Sequence, residues 1–165
     1  MGAGKSTVGK ILAEKLNRDF YDTDQAIEES TKKSISEIFE SEGEDYFRDR
    51  EEEIVKKIAS EVKEAVVALG GGAILKLTNW ELINRSGFTV YLKCKSSVLL
   101  NRLAKDASRP LVANILPESS QTEFLKLFET RRPFYEQADF IIDCSDDMSE
   151  TPVADEIINE LEKRN

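Results

Sequence analysis

The chain contains no histidine. Proton transfer, if it does any, therefore falls to a carboxylate, or catalysis rests on positioning and charge. Cysteine is scarce as well. Cys94 and Cys144 each end an apolar run and lack metal-ligand spacing, so they are expected to be inert buried thiols of a reducing compartment. Positive charge is in deficit: 23 Lys and Arg against 32 Asp and Glu leave a net charge of −9. That balance argues against a nucleic-acid partner, whose phosphates need a basic face. A bound nucleotide is a different case, because a site can be locally basic in an acidic protein. No apolar run reaches transmembrane length and no signal-like stretch precedes the first motif, so no membrane contact and a cytoplasmic location are expected. Internal repeats, low-complexity tracts and linkers are missing too. What remains, 165 residues at 40% hydrophobic and 33% charged, reads as a single domain over 1–165 that buries a real core. With no surplus apolar segment, a monomer is expected.

What is present begins at the first residues. Gly2-Ala3-Gly4-Lys5-Ser6-Thr7 runs into an amphipathic stretch with Val8, Ile11, Leu12 and Leu16 at helical spacing. This is the second half of the phosphate-binding pattern G-x-x-x-x-G-K-[ST]; the first glycine of that pattern would fall ahead of Met1. Gly2 and Gly4 let the backbone turn its N–H groups inward onto phosphate oxygens. Lys5 then reaches the β/γ-phosphates and the Ser6 hydroxyl ligates Mg²⁺. The following helix adds its positive end. The rival reading is a glycine-rich start followed by a surface helix with a solvated lysine.

Further along, Asp19-Phe20-Tyr21 reads as a short strand, and a helix runs from Asp24 through Ser30. Ser34 and Glu37 have capping-box spacing at the head of another helix, which Gly43 ends. Glu44 to Glu64 is one long helix with Phe47, Ile54, Val55, Ile58 and Val62 on its apolar face. The continuous apolar run Ala65 to Leu69 predicts a strand buried on both faces of a parallel sheet. A helix around Trp80 to Arg85, a strand from Phe88 to Leu92 and a helix from Ser96 to Ala104 follow. Asp106 to Pro117 reads as a loop, and a helix from Glu123 to Tyr135 precedes the strand Phe140 to Asp143. The last helix carries Val153, Ile157, Ile158 and Leu161. Alternating strands and helices predict an α/β fold: a doubly wound, three-layer parallel sheet with helices on both faces. Ligands in such sheets sit at the carboxyl ends of the strands, which gathers Asp22, Asp24 and Gly70-Gly71-Gly72 on the edge of the phosphate loop.

Each of these groups has a plain alternative. Asp22-Thr23-Asp24 puts two carboxylates at a strand end, one for a metal shell and one for a substrate hydroxyl; the alternative is a helix N-cap, a role Asp24 can also fill. Gly70-Gly71-Gly72 permits close approach of backbone to a ligand, or is simply a turn. Arg48 and Glu51, beside Arg50 and the run Glu51-Glu52-Glu53, read on their own as a solvated helix face with ion pairs of little worth. Arg109-Pro110 lies in the expected loop, where phosphoryl-transfer enzymes close an arginine-bearing lid. Arg131-Arg132 near a helix end suits a carboxylate, through bidentate pairing, or merely the helix dipole.

Together, Gly4-Lys5-Ser6-Thr7, Asp22-Thr23-Asp24, Phe47-Arg48-x-x-Glu51, Gly70-Gly71-Gly72, Arg109-Pro110-Leu111 and Arg131-x-Pro133-x-Tyr135 stand in the order and approximate spacing of the shikimate kinase family. The chain resembles that family from residue 1 to about Asp143. The resemblance implies a phosphate-loop kinase fold with a mobile lid at about 105–117. It implies transfer of the γ-phosphate of ATP to the 3-hydroxyl of shikimate, in the pathway to chorismate and the aromatic amino acids. It further implies that Gly2, Ala3, Gly4, Lys5, Ser6 and Thr7 cradle the ATP phosphates, and that Ser6, with Asp22 acting through water, holds Mg²⁺. Asp24 would orient the attacking hydroxyl or take its proton. Arg48 and Arg131 would clamp the shikimate carboxylate, with the backbone of Gly70, Gly71 and Gly72 against the ring. Arg109 would neutralise charge on the transferring group, and its loss would cost on the order of 10³–10⁵ in rate. Arg102 would flank the adenine, together with the loop from Asp143 to Pro152.

The family carries a strand before the phosphate loop, in the middle of the sheet, and the chain as written starts after it. About five buried apolar side chains at roughly 1.5–3 kcal/mol each are at stake, comparable to a whole domain's net stability. The chain as written is therefore expected to fold poorly or bind ATP weakly, and a start assigned at an internal methionine is the simplest explanation. Two other functions compete: a related small-metabolite kinase of the gluconate kinase type, and a non-catalytic nucleotide-binding remnant.

Overall fold

A computed structural model describes residues 2–105, 118–144 and 149–164. Helix α1 (Lys5–Leu16) follows the glycine-rich start and ends at Asn17 in the left-handed conformation. Strand β1 (Phe20–Asp22) leads directly into α2 (Thr23–Thr31). The expected Ser34–Glu37 capping box is present at the head of α3 (Ile35–Ser41). Helix α4 (Gly43–Glu61) starts at Gly43, at φ 86°, so the glycine both ends one helix and begins the next. Strand β2 (Val66–Ala68) runs through Gly70–Gly72 into a short 3₁₀ turn and then α5 (Leu77–Ser86).

Strand β3 (Val90–Cys94) starts two residues later than its apolar run suggests. Thr89 explains the offset: its N–H and hydroxyl both donate to the Asp139 carboxylate, at 2.8 and 2.7 Å, and the ladder begins one residue on. Helix α6 (Ser96–Lys105), helix α7 (Glu118–Tyr135), strand β4 (Phe140–Cys144) and helix α8 (Glu150–Glu162) complete the chain. The expected lid arginine, Arg109, and residues 145–148 of the expected adenine loop lie outside the described residues.

The strands are parallel, and helices cover both faces of the β3–β4 pair. Leu92, Cys94, Ile142 and Cys144 point to one face and pack with Val8 and Leu12 of α1 and Val153 and Ile157 of α8 in the main core. Tyr91 and Lys93 point to the other, as a strand's two-residue period requires, and meet Tyr135 and Glu136 at the end of α7. Both cysteines are buried free thiols, opposite one another in the ladder. A second, smaller core of Ile27, Ile38 and Phe47 joins α2, α3 and α4.

Among the described residues the four strands form two parallel pairs, β1–β2 and β3–β4, rather than one continuous sheet. Between β2 and β3 lies a cavity of about 580 Å³. Val66 and Val67 form its wall on one side and Val90 and Tyr91 on the other, with Leu12 and Ile157 among the helical side chains around it. Consequently Val66 and Val67 are only half-buried, and the run from Ala65 to Leu69 does not behave as a strand enclosed on both sides. Among the described residues, β2 and β3 do not pair with one another across the cavity.

Candidate active site

At the carboxyl ends of β1 and β2 three segments interlock: the glycine loop, the Asp22–Asp24 corner and the Gly70–Gly72 turn. Gly2 and Gly4 stand at φ 70° and 79°, left-handed conformations that residues with a Cβ disfavour. They present the first turn of α1 with no side-chain cap, so its leading N–H groups are open to an anion. Lys5 and Ala3 line the large cavity, and Thr7 is exposed on the first turn. Arg102 of α6 crosses to this loop, its Nη1 donating to the Gly2 carbonyl at 3.4 Å.

The Ser6 hydroxyl donates to Asp22 Oδ2 at 2.6 Å, tying the loop to the end of β1. The other oxygen of Asp22 accepts from the N–H of Asp24 at 3.0 Å and of Gln25 at 3.4 Å, so Asp22, not Asp24, caps α2. One carboxylate and one hydroxyl side by side fit Mg²⁺, which takes few protein ligands and completes its shell with water and phosphate oxygens. Released from capping, Asp24 turns toward Gly70. A Cβ built on Gly70 would lie 2.5 Å from Asp24 Oδ1 and 3.0 Å from Glu51 Oε1. Between the two aspartates, Thr23 is fully buried, and its hydroxyl accepts from the Gly70 N–H at 2.8 Å.

Arg48 stands on α4 facing the same turn. Its guanidinium occupies the space a Cβ on Gly72 would need, donates from Nη1 to Glu51 Oε2 at 2.8 Å, and pairs with Glu44 at 3.0 Å. Glu51 is 2% exposed, and its Oε1 meets no donor among the described residues. Burial pushes the Glu51 carboxyl above its ordinary value although the Arg48 hydrogen bond pulls the other way. Opposite, Arg131 and Arg132 divide by side. Arg132 is exposed and pairs with Glu129 at 3.1 Å, whereas Arg131 is half-buried, lines the large cavity and has a buried Nε without an acceptor among the described residues.

The structure thus gathers Lys5, Ser6, Asp22, Asp24, Gly70, Gly71, Gly72, Arg48 and Arg131 along one edge and brings Arg102 to the phosphate loop. Read alone, the Arg48–Glu51 pair was expected on a solvated face, and that expectation fails. The signal was there in the stripe Phe47, Glu51, Val55, which are the three buried residues of α4. Thr23 and Tyr135 are the other participants that residue-level reading missed; neither carries charge.

A glycine-turned loop leading into a bare helix N-terminus, with a hydroxyl–carboxylate pair beside it and an arginine-lined cleft across from it, defines a phosphate-loop phosphotransferase of the α/β class. The comparisons give the particular family. A family model described as shikimate kinase matches residues 1–162. A shikimate kinase of Thermodesulfovibrio yellowstonii is 41% identical over 163 residues, covering 99% of this chain and 91% of that protein. One from Caldanaerobacter subterraneus is 43% identical over 158 residues, covering 96% and 90%. The solved structure of Acinetobacter baumannii shikimate kinase in complex with shikimate superposes with a TM-score of 0.91 at 36% identity, covering 100% of this chain and 90% of that one. The chain belongs to the shikimate kinase family.

Proposed function

We propose that the chain performs the shikimate kinase reaction, ATP-dependent phosphorylation of the 3-hydroxyl of shikimate, with its own residues in the following roles. The backbone of Gly2 to Thr7, the Lys5 ammonium and the head of α1 hold the ATP phosphates; Arg102 steadies the loop and borders the nucleotide. Ser6 and Asp22 would hold Mg²⁺, which supplies charge neutralisation across the β- and γ-phosphates when bound. Arg48 and Arg131 take the substrate carboxylate, each offering paired N–H donors. The Gly70–Gly72 backbone borders the ring.

Asp24 accepts a hydrogen bond from the substrate hydroxyl. As that oxygen forms its bond to the γ-phosphorus and the bond to the β-phosphate oxygen breaks, the hydroxyl proton passes to the Asp24 carboxylate. Arg109 would neutralise the transferring group. The 165 residues act as one domain with a lid at about 105–117, as a cytoplasmic monomer without nucleic-acid or membrane partners. Among the described residues no helix is long and apolar enough to cross a membrane.

The observation that carries this reading is the contact set at Gly70 and Gly72. Two positions without a Cβ leave room for one carboxylate, Asp24, and one guanidinium, Arg48, at the phosphate-loop edge. The test is ADP release with Mg²⁺ and ATP, with shikimate and gluconate added in parallel. Release that depends on shikimate is expected. Release with gluconate alone would move the chain to another small-metabolite kinase activity.

A further inference from the structure

The three carbonyls of the glycine turn each have a partner. Gly70 O accepts from the N–H of Ala73 at 3.1 Å, and Gly72 O accepts from the N–H of Leu75 at 3.0 Å. These are local bonds, made within the turn itself. The middle one is different: Gly71 O accepts from the hydroxyl of Tyr135 at 2.6 Å, across 64 positions of sequence. We propose that Tyr135 is a positioning residue for shikimate binding, its hydroxyl locking the Gly71–Gly72 peptide plane in the orientation the substrate needs. This rests on the reading that Gly70–Gly72, Arg48 and Arg131 form the shikimate site.

The stereochemistry is direct. No described peptide bond is cis, and in a trans peptide the C=O and N–H of one plane point in opposite directions. Holding the Gly71 carbonyl against Tyr135 therefore aims the Gly72 N–H the opposite way. Two consecutive glycines have the widest choice of backbone conformation of any residue pair, so without an external tie this plane is the least determined of the turn. Gly72 also has to stay where its missing Cβ leaves room for the Arg48 guanidinium. One hydrogen bond thus fixes a backbone donor and shields the Arg48 position together.

Tyr135 is itself well held. Its ring lies 5.3 Å from that of Tyr91 on β3, tilted by 31°. Burial keeps its phenol above the ordinary value, so it remains a proton donor at neutral pH. On α7 it follows Arg131 by four residues, the spacing that puts two side chains on one helix face. The same helix end therefore delivers the carboxylate-binding arginine and the tie to the glycine turn. Tyr91, by contrast, has a buried hydroxyl with no partner among the described residues and contributes its ring.

The experiment compares Tyr135→Phe and Arg48→Ala with the parent chain. Y135F keeps the ring and removes one oxygen. The KM for shikimate is expected to rise roughly tenfold, with kcat and the KM for ATP changing less than about twofold. In the substrate-free protein the amide resonance of Gly72 is expected to move, while the melting temperature stays within a few degrees. A Y135F enzyme with unchanged KM for shikimate, beside an Arg48→Ala variant that loses shikimate binding, overturns the tie and leaves the site reading standing. Equal losses in kcat and in affinity for both substrates, with a large drop in melting temperature, overturn it as well, since that is the mark of a general packing role. Arg48→Ala with unchanged shikimate affinity removes the site reading, and the proposal with it.

Discussion

The two halves of the strand-end surface are built to different degrees. Around β1 and β2 short hydrogen bonds tie the segments together: Ser6 to Asp22, the Gly70 N–H to Thr23, Arg48 to Glu51, and Tyr135 to the Gly71 carbonyl. Toward β3 the phosphate-loop helix α1 instead borders a cavity of about 580 Å³, where two strand edges face each other without pairing. The contrast separates two sources of order. The substrate side is held by short polar contacts between neighbours and by a small core of its own at Ile27, Ile38 and Phe47. On the nucleotide side Ser6 bonds to Asp22 and Arg102 reaches the Gly2 carbonyl, beside the cavity that α1 borders.

Asp24→Asn attacks the substrate side at its chemical centre and is expected to have the largest effect. It keeps the shape beside Gly70 but removes the proton acceptor, and kcat should fall by about 10²–10⁴ with a much smaller change in shikimate affinity. Gly72→Ala sharpens the same contrast sterically. The new Cβ needs the space of the Arg48 guanidinium, so the KM for shikimate should rise by roughly 10² while ATP binding is spared.

Amide exchange reads the other half. Alternate N–H groups of β2 and β3 that face the cavity should exchange within minutes, while those in the β1–β2 and β3–β4 ladders stay protected; uniform protection of both strands would remove the distinction. The smallest effect concerns Glu51. Because its folded-state pKa is raised above the unfolded value, its contribution to stability is complete below the unfolded value and is lost as pH rises through the folded one. Glu51→Gln, neutral throughout, should flatten that part of the melting temperature's pH profile.

Much of this was legible from the residues. The capping box at Ser34 and Glu37, the left-handed glycines of the phosphate loop and the helix spacing of Val8 and Leu12 are local signals, and the structure keeps all of them. What stayed hidden depends on partners distant in sequence. Glu51 looks like one acidic residue in a run of three until α4 turns it inward behind Arg48. Which of Asp22 and Asp24 caps α2 is decided by Ser6, sixteen positions earlier, which takes one oxygen of Asp22 and leaves the other to the helix. The two-residue offset of β3 likewise comes from Asp139, fifty positions away. Spacing alone did not choose between Arg131 and Arg132; the structure leaves Arg132 exposed and Arg131 half-buried at the large cavity.

The measurement that bears most directly on the contrast is a pair of titrations into the 165-residue chain, shikimate in one and Mg²⁺ with ATP in the other, each repeated with Arg48→Ala. Saturable shikimate binding that Arg48→Ala abolishes is expected, beside ATP binding that Arg48→Ala leaves unchanged. Tight ATP binding with no shikimate binding would contradict it, because the half held by these hydrogen bonds would then be the half that does not work.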